Sequence, residues 1–276
     1  MTGDNTPFDP ADAFLLRAGR AAFPGFRLEL VARTPSTQEL AMRAARAGAE
    51  PGWCAVAEEQ TAGRGRQGRT WSARAGTALL ASVLVPDLGQ GGWPALAAGL
   101  AVADALDATV GAGQLELGLK WPNDVLARGE AGGKLAGVLI ERAVSSREAA
   151  SALVLGVGIN VWVDEFPTGA GGASLHRLLH PDTPPRREAL LGELLTATAR
   201  WWGVLAGGDY TPVSVAWQDR ALGLDEPVVA DTRGGRFEGV ARGLDSDGGL
   251  LIETASGIVR LVAGDVHLLV GAGRRS

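Results

Sequence analysis

Apolar residues recur along this chain at helical spacing in some stretches and in alternation or unbroken runs in others. Residues 10–22 place Phe14, Leu15 and Ala18 at helical intervals. Residues 26–31 alternate and predict a strand. Ser36 or Thr37 then caps a helix that closes near Gly48. Residues 53–58 predict a strand, and the unbroken apolar run 77–85 predicts a buried one. Residues 93–106 predict an alanine-rich helix, and 115–121 a strand that stops at a Pro122-Asn123-Asp124 turn. Residues 134–142 and 152–161 predict hairpin partners, and 186–205 a helix with Leu190, Leu194 and Leu195 on one face. Beyond Trp217 the pattern shortens: 227–230, 236–243, 250–254 and 258–262 predict strands separated by Asp-Thr-Arg-Gly-Gly, Asp-Ser-Asp-Gly-Gly and Ser-Gly. That is the turn chemistry of a small all-β barrel. The expected fold is therefore α+β, with one domain at 1–222 and a barrel domain at 223–276.

Composition changes this picture in three ways. The net charge of −5 excludes a protein that binds nucleic acid over its whole surface. The single cysteine, Cys54, excludes an internal disulfide. Residues 1–13 lack a cationic start followed by an apolar stretch, and the apolar runs 78–86 and 152–163 are too short to span a bilayer. These features together predict a cytoplasmic protein with no membrane partner.

Five short motifs have candidate chemistry. The loop Gly63-Arg64-Gly65-Arg66-Gln67-Gly68-Arg69, followed by Trp71, alternates glycine with arginine, whose planar fork suits carboxylate or phosphate. Its glycine spacing also matches a dinucleotide fingerprint, but Trp71 and Ser72 lead into a loop and a strand, not a helix. Taken alone, the loop reads equally well as a solvated surface turn, and it is expected to be disordered without ligand. Lys120-Trp121-Pro122-Asn123-Asp124 sets an amide and a carboxylate on a turn. Lys134 opens an apolar strand, and Ala136 and Gly137 leave room against its backbone. Gly156 and Gly158 weaken another strand, which close approach of a ligand would compensate, and Asn160 ends it with a donor and an acceptor. Ser36 and Thr37 either cap a helix or bind a ligand. His176 and His180 lie at i,i+4 with no third ligand near, so no protein metal site is expected.

In this order, Ser36-Thr37-Gln38, the stretch from Glu59 through the Gly/Arg loop to Trp71, Lys120-Trp121-Pro122-Asn123-Asp124, Lys134-Leu135-Ala136-Gly137 and Gly156-Val157-Gly158-Ile159-Asn160 closely resemble biotin–protein ligases. The resemblance covers residues 30–270 and implies a mixed-sheet catalytic domain of the biotin/lipoate ligase type with an SH3-like C-terminal barrel. It implies ATP and biotin as substrates, Mg²⁺ with the nucleotide, and the carrier domain of a biotin-dependent carboxylase as partner. Ser36, Thr37, Gln60 and the backbone near Gly63 and Arg64 would then hold the biotin head, and Gly137 would let biotin approach the strand. Arg66 and Arg69 would fold over the phosphates, Trp71 would stack on the adenine side, and Asn160 would contact the adenylate. Lys134 would hold the carboxylate and α-phosphate, and Asp124 would position the incoming lysine or take its proton. Gln38 stands where many members carry Asn, and no role is assigned to it. Too few residues precede Ser36 for the helix-turn-helix module of some members, so no DNA binding is expected. A lipoate or octanoate ligase shares the catalytic fold and is the nearest alternative.

Overall fold

The computed structural model describes residues 7–88, 91–129, 132–144, 151–166, 171–179, 185–232 and 234–268. In chain order the elements are α1 (Ala13–Ala22), β1 (Arg27–Thr34), α2 (Thr37–Arg46), β2 (Trp53–Gln60), β3 (Ala78–Pro86), α3 (Trp93–Val110), β4 (Leu117–Lys120), β5 (Asp124–Ala127), β6 (Gly133–Val144) and β7 (Ser151–Asn160). They continue as α4 (Leu175–Leu179), α5 (Arg187–Ala206), α6 (Thr211–Arg220), β8 (Pro227–Thr232), β9 (Gly235–Leu244), β10 (Leu250–Thr254), β11 (Gly257–Leu261) and β12 (Asp265–Leu268).

Seven strands form one sheet in the order β1-β2-β3-β7-β6-β5-β4. Only β1 and β2 run parallel, joined through α2; the other pairs are antiparallel, so the sheet is mixed. Ser36 caps α2 by accepting from Gln38 N–H, and this fixes where the loop after β1 turns into helix. The strand run 78–85 is buried along its whole length because both faces are covered. Its period of two sends Leu79, Ala81, Val83 and Val85 into a core shared with α3 and α5. Helix α3 has the length and apolarity to cross a bilayer, and 67% of it is buried against α5 and the sheet, as in a core helix.

The second sheet is fully antiparallel, in the order β11-β10-β9-β8-β12. Its β9–β10 turn is seated on the start of α3 and the β4–β5 turn: Trp93 Nε1 donates to Ser246 O at 3.0 Å, Trp121 Nε1 to Gly248 O at 3.3 Å, and Gly92 N–H to Asp247 O at 2.8 Å. Strand β5 and helix α6 are among the elements that depart from the sequence reading. Asp124 opens β5, paired opposite Lys120, instead of ending a turn. Helix α6 has no clear apolar stripe in sequence and starts at a proline, Pro212, near its N-terminus. Strand β12 is only four residues long, and its pairing with β8 is non-local.

Cys54 lies inside the core on β2, and burial pushes its thiol pKa up to about 12. The thiolate is the reactive form. The folded protein is therefore expected to resist iodoacetamide at about pH 8 and to be alkylated only after denaturation. Labelling of the native protein at the rate of a free thiol, read by intact mass, would contradict this burial.

Candidate functional site

The face of the large sheet turned away from α3 and α5 carries the site. Alternation along β3 and β7 presents Ser82, Gly156 and Gly158 on this face. The glycines are required by the chain's own side chains. A Cβ at Gly156 would collide with Gln38 Oε1, and one at Gly158 with the Trp71 indole. A Cβ at Gly137 would come within 2.9 Å of Trp71 Cζ3 and 3.1 Å of Lys134 Cε. The sequence leaves room for a ligand to occupy the space over Gly156 and Gly158; in the structure Gln38 and Trp71 take it.

A polar floor lies at the N-terminus of α2. Thr37 donates from its backbone N–H to Gln60 Oε1 at 2.7 Å, and its hydroxyl lies 3.1 Å from the same oxygen. The Thr37 and Ser82 hydroxyls are 2.9 Å apart. Ser82 donates to Gln38 Oε1 at 3.1 Å, and Gln38 Nε2 donates to Val154 O at 3.2 Å. Ser36, Thr37, Gln38 and Ser82 are all buried, on a face that Leu139 shares with Gly156 and Ser82.

A cationic rim faces this floor. Lys134 Nζ pairs with Asp124 Oδ1 at 2.6 Å and lies 5.5 Å from the centroid of the Trp71 ring. Arg66 donates to Asn123 Oδ1 at 3.2 Å. Burial lowers the pKa of Arg66; Asp124 opposes that shift and Arg69 adds to it. Burial also lowers the pKa of Lys120, against Asp124 and together with Lys134 and Arg69. Arg66, Lys120 and Lys134 thus share the field of one carboxylate, Asp124, so an anion entering here relieves repulsion and favours their charged forms.

The Gly/Arg loop is tied together by its own backbone. Its ends close through an Arg64–Thr70 bridge, Gly65 N–H donates to Arg69 O at 2.8 Å, and residues 66–68 form one 3₁₀ turn. Each arginine has an acceptor on another element: Arg64 reaches Glu141 at 2.8 Å, Arg66 reaches Asn123, and Arg69 pairs with Asp265 of β12. Like charges that repel in sequence are held apart by these acceptors.

Most residues singled out from sequence converge on one pocket. Ser36, Thr37 and Gln60 form its floor, Arg64, Arg66, Arg69 and Trp71 its lid, and Asp124, Lys134 and Gly137 its wall. Two do not line it. Gly63 closes the loop, accepting from Trp71 N–H at 2.9 Å, and a Cβ there would strike Trp71 O. Asn160 is buried with its amide donating to Lys134 O and Ala173 O at 3.2 and 3.0 Å, so it braces the strand behind Lys134. Sequence reasoning missed Ser82 and Asp265 as parts of the site and gave Gln38 no role; the amide it set on the turn, Asn123, does line the pocket. A lone serine inside an apolar strand was a readable signal for Ser82; Asp265 had none. Among the described residues, no three His, Cys, Asp or Glu side chains cluster as metal ligands. His180 lies outside the described residues, and His176 packs on Trp162 with ring centroids 4.8 Å apart.

Residues 30–160 match the model of the Biotin/lipoate A/B protein ligase family, and residues 223–269 match the biotin protein ligase C-terminal domain. A biotin–[acetyl-CoA-carboxylase] ligase of Mycobacterium tuberculosis is 38% identical, over 88% of this chain and 89% of the relative. The chain belongs to the biotin/lipoate A/B protein ligase family. Within that family, the biotin protein ligase of Aquifex aeolicus in complex with biotin and ATP superposes with a TM-score of 0.73 at 29% identity, covering 91% of this chain and 99% of that one. The Leishmania major enzyme in complex with biotinyl-5-AMP superposes at 0.53 with 26% identity, covering 86% and 99%. The mixed sheet and the appended antiparallel sheet are therefore the family's fold.

Proposed function

We propose that the protein is a biotin–protein ligase. It activates biotin with ATP to biotinyl-5′-AMP, releasing pyrophosphate, and passes the biotinyl group to a lysine of a biotin carboxyl carrier domain of a biotin-dependent carboxylase. The observation that carries this reading is the pairing of a buried polar floor with a cationic rim. A cyclic urea offers one carbonyl acceptor and two N–H donors, and a floor of hydroxyls and an amide can answer both. A lipoyl or octanoyl chain has no group that could use these donors and acceptors. The match of residues 223–269 also favours biotin.

In the first step the biotin carboxylate attacks the α-phosphorus of ATP, and pyrophosphate leaves. No protein nucleophile is needed. The barrier is the repulsion of two anions, which preorganised cations offset. Lys134 takes the position between carboxylate and α-phosphate, exchanging Asp124 for the two incoming anions. Arg66 and Arg69 cover the phosphates, and Trp71 lies on the adenine side. In the second step the ε-amine of the acceptor lysine attacks the biotinyl carbonyl; an amide forms, AMP leaves, and Asp124 positions the amine and takes its proton. Asn160 supports the adenylate site, and Gly137 leaves room for biotin. Mg²⁺ would be held on the nucleotide phosphates, whose charge it would screen. The catalytic unit is 1–222 and the barrel 223–276. The enzyme works in the cytoplasm, without DNA or a membrane as partner.

The test is ATP–pyrophosphate exchange with biotin and with lipoate, followed by intact mass of a purified carrier domain. Biotin-dependent exchange and addition of one biotinyl group to the carrier are expected. Exchange with lipoate alone would assign the chain to the other branch of its family.

A further inference from the structure

The floor contains more acceptor positions than hydroxyl protons, and Gln38 decides how those protons lie. Gln38 Nε2 is held by Val154 O at 3.2 Å, so its Oε1 faces Ser82. The glycine at 156 makes the room for that orientation, since a Cβ there would collide with Oε1. Ser82 is the donor found for this buried oxygen. If the Ser82 proton turned to Thr37 instead, Gln38 Oε1 would be a buried acceptor without a donor, a costly state. Ser82 therefore donates to Gln38 and offers Thr37 only an acceptor. The one Thr37 proton then points inward, to Ser82 Oγ at 2.9 Å or to Gln60 Oε1 at 3.1 Å. The lone pairs of Thr37 are what remain for a ligand in the pocket.

We propose that Gln38 and Ser82 form a positioning pair that fixes the Thr37 hydroxyl as a hydrogen-bond acceptor, so that the pocket selects a ligand head with an N–H at that point. This rests on the biotin reading and adds to it the residues that set its head-group selectivity. It also gives a role to Gln38, which has no contact with the rim cations and lies 3% exposed beneath the floor.

The test uses the full-length enzyme and two probes, biotin and the cyclic carbamates in which one ureido N–H is replaced by ring oxygen. In the native enzyme at least one carbamate isomer should show a KM raised about a hundredfold over biotin, because an acceptor replaces a donor and two lone pairs then face each other. Gln38→Met frees the Ser82 proton to turn to Thr37, and Ser82→Ala leaves the Thr37 proton only the longer contact with Gln60 Oε1. Each should raise the KM for biotin about tenfold, with kcat and the KM for ATP within about twofold. The biotin-to-carbamate ratio should fall about tenfold in both, and the double variant should match the single ones, since the two residues act as one relay. Native enzyme that accepts both carbamates as well as biotin overturns the proposal, whatever the variants do. So does an unchanged biotin-to-carbamate ratio in folded Ser82→Ala, the smaller change of the two. Native enzyme with no biotin-dependent exchange would instead overturn the assignment of function itself.

Discussion

Replacing Lys134 with methionine is expected to lower biotin-dependent ATP–pyrophosphate exchange by about 10²–10³-fold while the protein stays folded. Lys134 Nζ is paired with Asp124 at 2.6 Å, and its stem packs over Gly137 beside the Trp71 ring. Methionine keeps that stem and removes only the ammonium. The Lys134 side chain is 32% exposed, so the substitution buries no new unpaired charge, and Asp124 keeps Arg66 and Lys120 in its field. Stability should therefore change little, because partly exposed ion pairs contribute only about 0–1 kcal/mol. Exchange falls because a cation that meets two anions as they combine is worth most in the transition state. Arg66, Arg69 and Lys120 cannot replace it from the rim. The check is the exchange rate together with a thermal melt; near-native exchange in a folded Lys134→Met protein would remove Lys134 from the chemistry.

Replacing Arg66 with glycine is expected to release bound biotinyl-5′-AMP about 10- to 100-fold faster, the weight of one charge-assisted hydrogen bond. Arg66 is the lid arginine bound to the wall, through Asn123 Oδ1 at 3.2 Å. Burial lowers its pKa, yet a guanidinium keeps its proton across the working range, so it stays a fixed positive charge over the phosphate. Its loss removes that charge and also unties the lid from Asn123, leaving the closure to Arg64–Glu141 and Arg69–Asp265, both at exposed arginines. Adenylate formation should suffer less than adenylate retention, because Lys134 is untouched. Dissociation of preformed labelled adenylate, followed by filter binding, separates the two. An unchanged off-rate would mean that the lid is held by its other two arginines.

Local chemistry made a large part of the fold legible. Ser36 caps α2 with its own hydroxyl, an interaction set by neighbours in sequence. The run 78–85 reads as a strand because nothing polar interrupts it except Ser82. The turns of the second sheet are announced by Asp, Ser and Gly. Strand β5 was hidden because Asn and Asp at 123 and 124 look like turn residues, while cross-strand pairing to Lys120 decides that Asp124 is in the sheet. Helix α6 was hidden because it lacks a continuous apolar stripe; it buries Val213 and Trp217 and little else.

The candidate site divides in the same way. Charge and glycine are visible wherever they stand, so the loop at 63–69, Lys134 and Asp124 stood out from the sequence alone. What those residues face was not visible. The Gln38 carboxamide over Gly156, Trp71 over Gly158, Asp265 reaching Arg69 from the second sheet, and Asn160 bracing the strand behind Lys134 all join residues far apart in the chain. By itself the sequence determined which groups can carry charge, cap a helix or turn the chain, because these are properties of single residues and their near neighbours. Only the tertiary structure decided which hydroxyl donates, which glycine is required and which cations share one carboxylate, because burial, partner and distance are properties of the packed sheet.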